Sequence, residues 1–314
     1  MCSSDLLPAA DQAQRPAPAA GPDAATVVLG YARAQLAQLT AADPQVRRDA
    51  PDSVHQMRVA TRRLRSTLRA FPTVLRRADT RPAGAELKWL GGVLGEARDA
   101  EVLGGRLAAT VAELPRELVM GPVQARLRAH FGPVTAAGRA AALRALNSQR
   151  YLRLLGQLDE LLSDPPLGQQ AGRPAADVLP AAVGQMRARV RRRMRRARHA
   201  PPGPARDTAL HEARKAAKDA RYAAEAVSPA AGRDARRFAR RVKNLQSVLG
   251  EHHDAVVART TLRELGVQAQ LAGQPSFTFG VLHELEYHRA QGLASQAGPV
   301  WRRAARRKYR KWMR

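Results

Sequence analysis

Apolar residues recur along most of this chain every three or four positions, the step of a helix with one buried face. The pattern turns helical at Ala24 and predicts helices over Val27–Leu39, Ser53–Leu75 and Ala85–Leu114, with Pro72 and Pro115 as boundary marks. Further helices are predicted over 122–131, 133–145 and 148–162. A Pro- and Gly-rich cluster, SDPPLGQQAGRP at 163–174, has loop chemistry and divides the chain near its middle. Beyond it the period predicts helices over 176–199, 207–227, 230–265 (with an interruption allowed at Gly250) and 278–296, with a PPGP break at 201–204. Residues 1–23, rich in Ala and Pro without a period, read as a disordered leader. The expected organisation is a helical half at 24–162, a linker at 163–174, a second half at 175–300 and a short basic tail at 301–314.

The two halves repeat one another. His55-Gln-Met-Arg58-Val-Ala-Thr-Arg62-Arg-Leu-Arg65 recurs as His211-Glu-Ala-Arg214-Lys-Ala-Ala-Lys218-Asp-Ala-Arg221, shifted by 156 residues. Then Leu87-Lys88-Trp-Leu90-Gly-Gly-Val93-Leu94-Gly95-Glu96-Ala-Arg-Asp99 recurs as Val242-Lys243-Asn-Leu245-Gln-Ser-Val248-Leu249-Gly250-Glu251-His-His-Asp254, shifted by 155. Positions 55, 58, 62, 65 and 69 advance by three and four, so His55, Arg58, Arg62, Arg65 and Arg69 form one stripe on a helix, about 21 Å long at 1.5 Å per residue. Met57, Thr61, Leu64, Leu68 and Phe71 form an apolar stripe beside it. In the second half His211, Arg214, Lys218 and Arg221, helped by Lys215, repeat the cationic stripe, and Ala213, Ala217, Ala220 and Ala224 offer a small-residue packing face. Lys88 and Lys243 follow one helix later and would face these stripes if the helices pair antiparallel.

Composition agrees with an all-α fold, since Ala, Leu and Arg abound and aromatic residues are only 4%. Charge changes the picture more. Lys and Arg number 53 against 27 Asp and Glu, a net +26 that repels itself unless an anionic partner screens it. The excess is mostly Arg, whose planar fork pairs phosphate oxygens two at a time. A single cysteine, Cys2, excludes a disulfide framework and a thiolate metal site and suits a reducing cytoplasm. No run approaches the roughly 18 apolar residues of a spanning helix, and no secretion signal opens the chain, so a cytoplasmic protein is expected.

Several residues keep two readings open. For His55 and His211, a buried or capping histidine competes with a phosphate contact. Asp99 and Asp254 stand near Glu96, Glu251, His252 and His253, but the halves share no ligand set, which favours Arg-pairing or helix-orienting carboxylates over a metal site. The Arg-rich run Gln185–His199 keeps an apolar spacing at Val183, Met186, Val190 and Met194, so a folded helix with Arg187, Arg191 and Arg195 on one side is expected to extend a basic groove. The tail WRRAARRKYRKWMR suits nucleic acid or an anionic membrane, or packing through Trp301, Ala305, Tyr309 and Trp312.

The doubled pattern His-x-x-Arg-x-x-x-Arg/Lys-x-x-Arg, each copy followed by Lys-x-Leu-x-x-x-Leu-Gly-x-x-x-Asp, resembles the CHAD family, a histidine-containing α-helical domain, over about residues 24–300. The resemblance implies two four-helix bundles related by a pseudo-twofold, binding of inorganic polyphosphate by a basic surface from both halves, and association with polyphosphate granules in bacteria. It implies a binding set of His55, Arg58, Arg62, Arg65 and Lys88 with His211, Arg214, Lys218, Arg221 and Lys243. Many members carry a triphosphate-processing domain ahead of this one. Only a short leader stands in that place here, so no catalysis and no cofactor are expected. Non-specific nucleic-acid binding is the alternative, against which the stripes lack interleaved aromatics and the chain lacks recognised nucleic-acid motifs. An enzyme is a third reading, but no metal-holding carboxylates or phosphate-cradling glycine loop accompany the stripes. Oligomeric state is left open.

Overall fold

The computed structural model describes residues 21–313, so Cys2 and most of the expected leader lie outside it. Nine α-helices fill the described residues: α1 Ala24–Arg47, α2 Ser53–Ala70, α3 Arg77–Glu113, α4 Val123–Leu146, α5 Gln149–Ser163, α6 Ala175–His199, α7 Pro204–Ala226, α8 Ser228–Leu271 and α9 Phe277–Ala304. Short 3₁₀ turns follow α3 at Arg116–Leu118 and close the chain at Arg307–Tyr309 and Lys311–Met313. Asp23, expected in the leader, caps α1 by accepting the Thr26 N–H at 2.6 Å.

Proline misleads the periodic reading of boundaries. Helices 122–131 and 133–145 are one helix through Pro133, and α1, α3, α6 and α9 also run through prolines, at 44, 82, 180 and 299. An interior proline costs about 3 kcal/mol, and burial of the helix face outweighs it here. α3 therefore starts at Arg77 rather than residue 85, and α9 runs on to Ala304 rather than ending at residue 296. α2 stops at Ala70, ahead of Pro72, rather than at residue 75. Gly250 interrupts nothing; the break in α8 is at Gly232, whose φ of 59° and ψ of −134° lie outside the helical region.

Within each half successive helices pack on one another: α1 on α2, α2 on α3 and α3 on α4, then α6 on α7, α7 on α8 and α8 on α9. The apolar stripe of α2 is buried, with Met57, Thr61 and Leu64 at 0% exposure, and so is the alanine face of α7. The main core is shared between the halves and runs from α1 through α8, with Trp301 and Met313 at its edge. A second cluster joins the far ends of α3 and α4 (Leu107, Val111, Leu127, Phe131) to those of α8 and α9 (Leu262, Leu265, Phe279, Leu282). The segments Gly95–Asp99 of α3 and Gly250–Asp254 of α8 lie along their helices between these two cores.

The stretch between α5 and α6 is stitched down by backbone hydrogen bonds from Arg76 to Pro166, from Gly168 to Val74 and from Gln170 to Thr73. The N–H groups of Ala24 and Ala25 donate back to Arg173 and Ala171. At Gly168 a Cβ would sit 2.6 Å from the Thr73 carbonyl oxygen. Gly168→Ala is therefore expected to lower stability by about 1–3 kcal/mol, read from urea unfolding; an unchanged midpoint would show that this strap bears no load.

Polar contacts make α2 and α7 specific partners. Arg63 of α2 lies 3.3 Å from Glu225 of α7, and Arg69 lies 2.5 Å from Asp219. Positions 63 and 219 correspond in the repeat, as do 69 and 225, so one contact is made twice with the signs divided between the halves. Ser66 also donates to Asp219, at 3.1 Å, and the Tyr31 hydroxyl to Glu225, at 3.4 Å. These carboxylates are only partly exposed, so removing their partners costs more than at an open surface pair. Asp219→Arg, which sets three cations together, is expected to lower the unfolding midpoint. Adding Arg69→Asp should recover part of the loss, and a double variant no better than the sum of the singles would disprove the pairing.

Candidate functional site

The α2 stripe and the α7 stripe converge where these two helices meet. On α2, Arg58 holds Asp99 of α3 with both terminal nitrogens, at 2.7 and 3.2 Å. On α7, Arg214 lies 4.0 Å from Asp254 of α8. These are equivalent residues of the two repeats. The glycine four residues before each aspartate completes the arrangement: a Cβ on Gly95 would lie 3.5 Å from the Arg58 guanidinium, and one on Gly250 3.7 Å from that of Arg214. Each guanidinium thus lies flat on bare helix backbone and is steered from the end by a carboxylate. That is the physical content of the Leu-Gly-x-x-x-Asp pattern.

Between these anchored arginines stand Arg62 and Lys218, again equivalent positions. Among the described residues neither has a carboxylate within 4.0 Å. Burial pushes the Lys218 ammonium down to about 6, reinforced by the nearby charges of Arg62, Arg214 and Arg58 and only partly opposed by Asp254. Arg214 is also lowered, first by burial, with Arg62 and Arg58 adding to it against Asp254 and Asp99. The site is a pocket of like charge with too few counter-charges.

His211 borders it and meets His253 of α8, the two Nδ1 atoms 3.1 Å apart, so one ring donates and the other accepts. Burial lowers both, aided by Lys215 and Arg214 at His211 and by Arg214, His211 and Lys218 at His253, which falls to about 4. His55 takes a different course. It is exposed on a separate cleft shared with Gln38, Gln45 and Gln56.

The remaining sequence-predicted residues divide. Arg65 and Lys88 line one cleft of roughly 270 Å³ with Arg77 and Arg81, and Arg69 reaches the same cleft while paired with Asp219. Arg221 and Lys243 line its counterpart of roughly 380 Å³ with Arg233, Arg236 and Arg240. Arg221 is partly neutralised by Glu225 at 2.6 Å, and Lys215 points to Glu212 at 2.8 Å. On α6, Arg187 donates to the Ala305 carbonyl at 3.4 Å and so holds the chain end, while Arg191 and Arg195 are exposed. Sequence reasoning missed His253 as a partner of His211. It also missed the Asp219 and Glu225 pairings, whose signal was the opposite sign of charge at corresponding repeat positions. Among the described residues no group of three or more His, Cys, Asp and Glu side chains is placed to hold a metal ion, and no helix is long and apolar enough to cross a membrane.

An all-helical fold with two repeated cationic stripes meeting at one junction defines a class, and comparison with known proteins identifies it. Residues 30–263 match the CHAD domain, and the chain belongs to that family. It is similar in structure to the CHAD domain from the plant Ricinus communis, with a TM-score of 0.69 and 27% identity over 96% of this chain and 98% of that one. It shares its fold with PptA from Streptomyces chartreusis, with a TM-score of 0.71 and 22% identity over 90% of this chain and 100% of that one. In sequence it is 38% identical over 265 residues to two uncharacterized Mycobacterium tuberculosis proteins, MT2285 of strain CDC 1551 and Rv2226 of strain H37Rv. The match covers 83% of this chain and 50% of theirs, so the chain spans about half the length of these relatives.

The crowded cations fix a dependence of stability on pH. Lys218 titrates near 6 in the folded chain against its ordinary 10.5, so between these values the unfolded chain binds the extra proton and acidification favours unfolding. Unfolding free energy is expected to drop from pH 9 to pH 6, by at most about 1.4 kcal/mol per pH unit from this group. In Lys218→Met the drop should be shallower, and an identical pH profile in that variant would contradict the placement of Lys218.

Proposed function

We propose that the chain binds inorganic polyphosphate at the junction of α2 and α7 and does not break it down. The observation that carries this is the meeting of Arg62 and Lys218, one from each repeat, without a carboxylate within 4.0 Å, between Arg58, held by Asp99, and Arg214, which lies 4.0 Å from Asp254. Such crowding opposes folding, and a phosphate chain relieves it by inserting oxygens between the cations. A linear polymer with about one negative charge per phosphate suits rows of Arg and Lys, because release of its counterions drives binding and no base needs to be read. Both halves, 24–162 and 175–300, contribute to one site, as the family resemblance implies. Of the two aspartates of the junction, Asp99 is taken up by Arg58 and Asp254 lies 4.0 Å from Arg214, and neither belongs to a cluster of three or more metal-holding side chains among the described residues. Association with polyphosphate granules would follow from this binding.

The test is binding to long-chain polyphosphate in physiological salt, beside a variant carrying Arg62→Ala and Lys218→Ala. Two charge-assisted contacts are lost, so affinity is expected to fall about a hundredfold or more, while the thermal midpoint stays level or rises because the repulsion is gone. Four contacting cations predict roughly fiftyfold weaker binding between about 50 and 200 mM salt. Equal binding by variant and parent would refute the site, displacement by duplex DNA at matched phosphate concentration would favour a nucleic-acid ligand, and phosphate release that disappears in Arg58→Ala or Arg214→Ala would refute the non-catalytic reading.

A further inference from the structure

Residues of α8, together with the closing turn that follows the family match, build a second cationic pocket. A cleft of roughly 700 Å³ is lined by Arg237, Arg240, Arg241, Lys243 and Asn244 of α8 with Lys308 and Tyr309 of the first closing turn. Five cations face it and no carboxylate lines it. Among the described residues only Arg237 has an acidic neighbour, Asp234 at 3.8 Å on its own helix. The wall contributed by the chain end is built rather than draped. Met313 is buried against Gly184, the Trp312 indole donates to the Tyr309 carbonyl at 3.1 Å, and Arg187 holds the Ala305 carbonyl. Arg241 lies over the Tyr309 ring at 5.4 Å and Lys308 approaches the same ring at 5.3 Å, which sets both cations at the rim.

The repeat shows that the fold does not require this charge. The corresponding residues of the first half are Pro82, Ala85, Glu86, Lys88 and Trp89. There Glu86 takes Arg150 of α5 at 2.6 and 3.2 Å, and the Arg150 guanidinium covers Trp89 at 4.1 Å, so the position is filled and neutral. In the second half Arg241 replaces Glu86, Arg240 replaces Ala85, and the closing turn stands where α5 supplied the counter-charge. One register thus carries a satisfied ion pair in one half and an open set of cations in the other. Arg240 and Lys243 also line the cleft beside Arg221, where Glu225 is the one carboxylate, so Arg233, Arg236 and Arg240 carry positive charge past it from the α7 stripe into this pocket.

We infer that this pocket is a second phosphate subsite, engaged by chains long enough to run from the junction along α7 to the closing turn. The inference rests on the binding reading above and adds that affinity depends on chain length through Arg241 and Lys308. The test compares tripolyphosphate with long-chain polyphosphate on the parent protein, on a variant carrying Arg241→Gln and Lys308→Gln, and on the Arg62→Ala, Lys218→Ala variant. The pocket variant is expected to bind the long chain about tenfold more weakly, with its salt dependence reduced by about 1.4 in the log–log slope, and tripolyphosphate as the parent does. Unchanged long-chain affinity, or equal losses for both ligands, would overturn the subsite. The single exposed substitution Lys308→Gln, expected to lose about threefold on the long chain alone, guards against a loosened chain end in the double variant. If the junction variant loses both ligands while the pocket variant loses neither, only this inference falls; if the junction variant binds both like the parent, the central site itself is wrong.

Discussion

Cationic groups held at close range without sufficient counter-charge, so that Lys218 keeps its proton only near pH 6 and below, are the constraint on which this molecule turns. Arg62 and Lys218 face one another across the joint between two repeats, and burial denies Lys218 the water that would screen it. A chain free to relax would swing these side chains apart. Here it cannot, because Arg58 is fixed by Asp99, Arg214 lies against the backbone at Gly250, and the helix faces beneath are buried in one shared core.

What holds the repulsive joint together is the opposite sign pattern a turn or two further along. Arg63 with Glu225 and Arg69 with Asp219 are the same contact made twice with the repeat positions exchanged, and the division of charge is what makes α2 prefer α7 to a copy of itself. Two α2 helices in that arrangement would set arginine on arginine. The duplication therefore keeps its cationic row in both halves while diverging at neighbouring positions to hold the halves together. The same divergence recurs on the next helix, where a neutral Glu86–Arg150 pair in one half faces an open cationic pocket in the other.

Much of this was legible in the sequence, for identifiable reasons. Helical class, the two stripes and their equivalence follow from a three- and four-residue step that survives duplication, and the buried face of α2 reads directly from Met57, Thr61, Leu64 and Leu68. Boundaries were less legible because Pro44, Pro82, Pro133, Pro180 and Pro299 sit inside helices whose burial outweighs the lost hydrogen bond, a tertiary effect that no local pattern carries. Within the site, the stripe could be read but not its subdivision. Arg69 shares a face with Arg62, yet it meets Asp219, which only the three-dimensional arrangement brings near, while Lys215 and Arg221 meet Glu212 and Glu225 three and four residues away on their own helix. His253 could not be assigned because its repeat equivalent is Arg98, so the His211–His253 contact exists in one half only.

The central claim is that a phosphate chain supplies the missing counter-charge, and it predicts that binding restores the proton Lys218 lacks near neutral pH. Calorimetric titration with long-chain polyphosphate at pH 7.5, in buffers of different ionisation enthalpy, measures this directly. The account predicts net proton uptake in the parent and a clear reduction in Lys218→Met. Tight binding with no proton uptake, or the same uptake in both proteins, would contradict it.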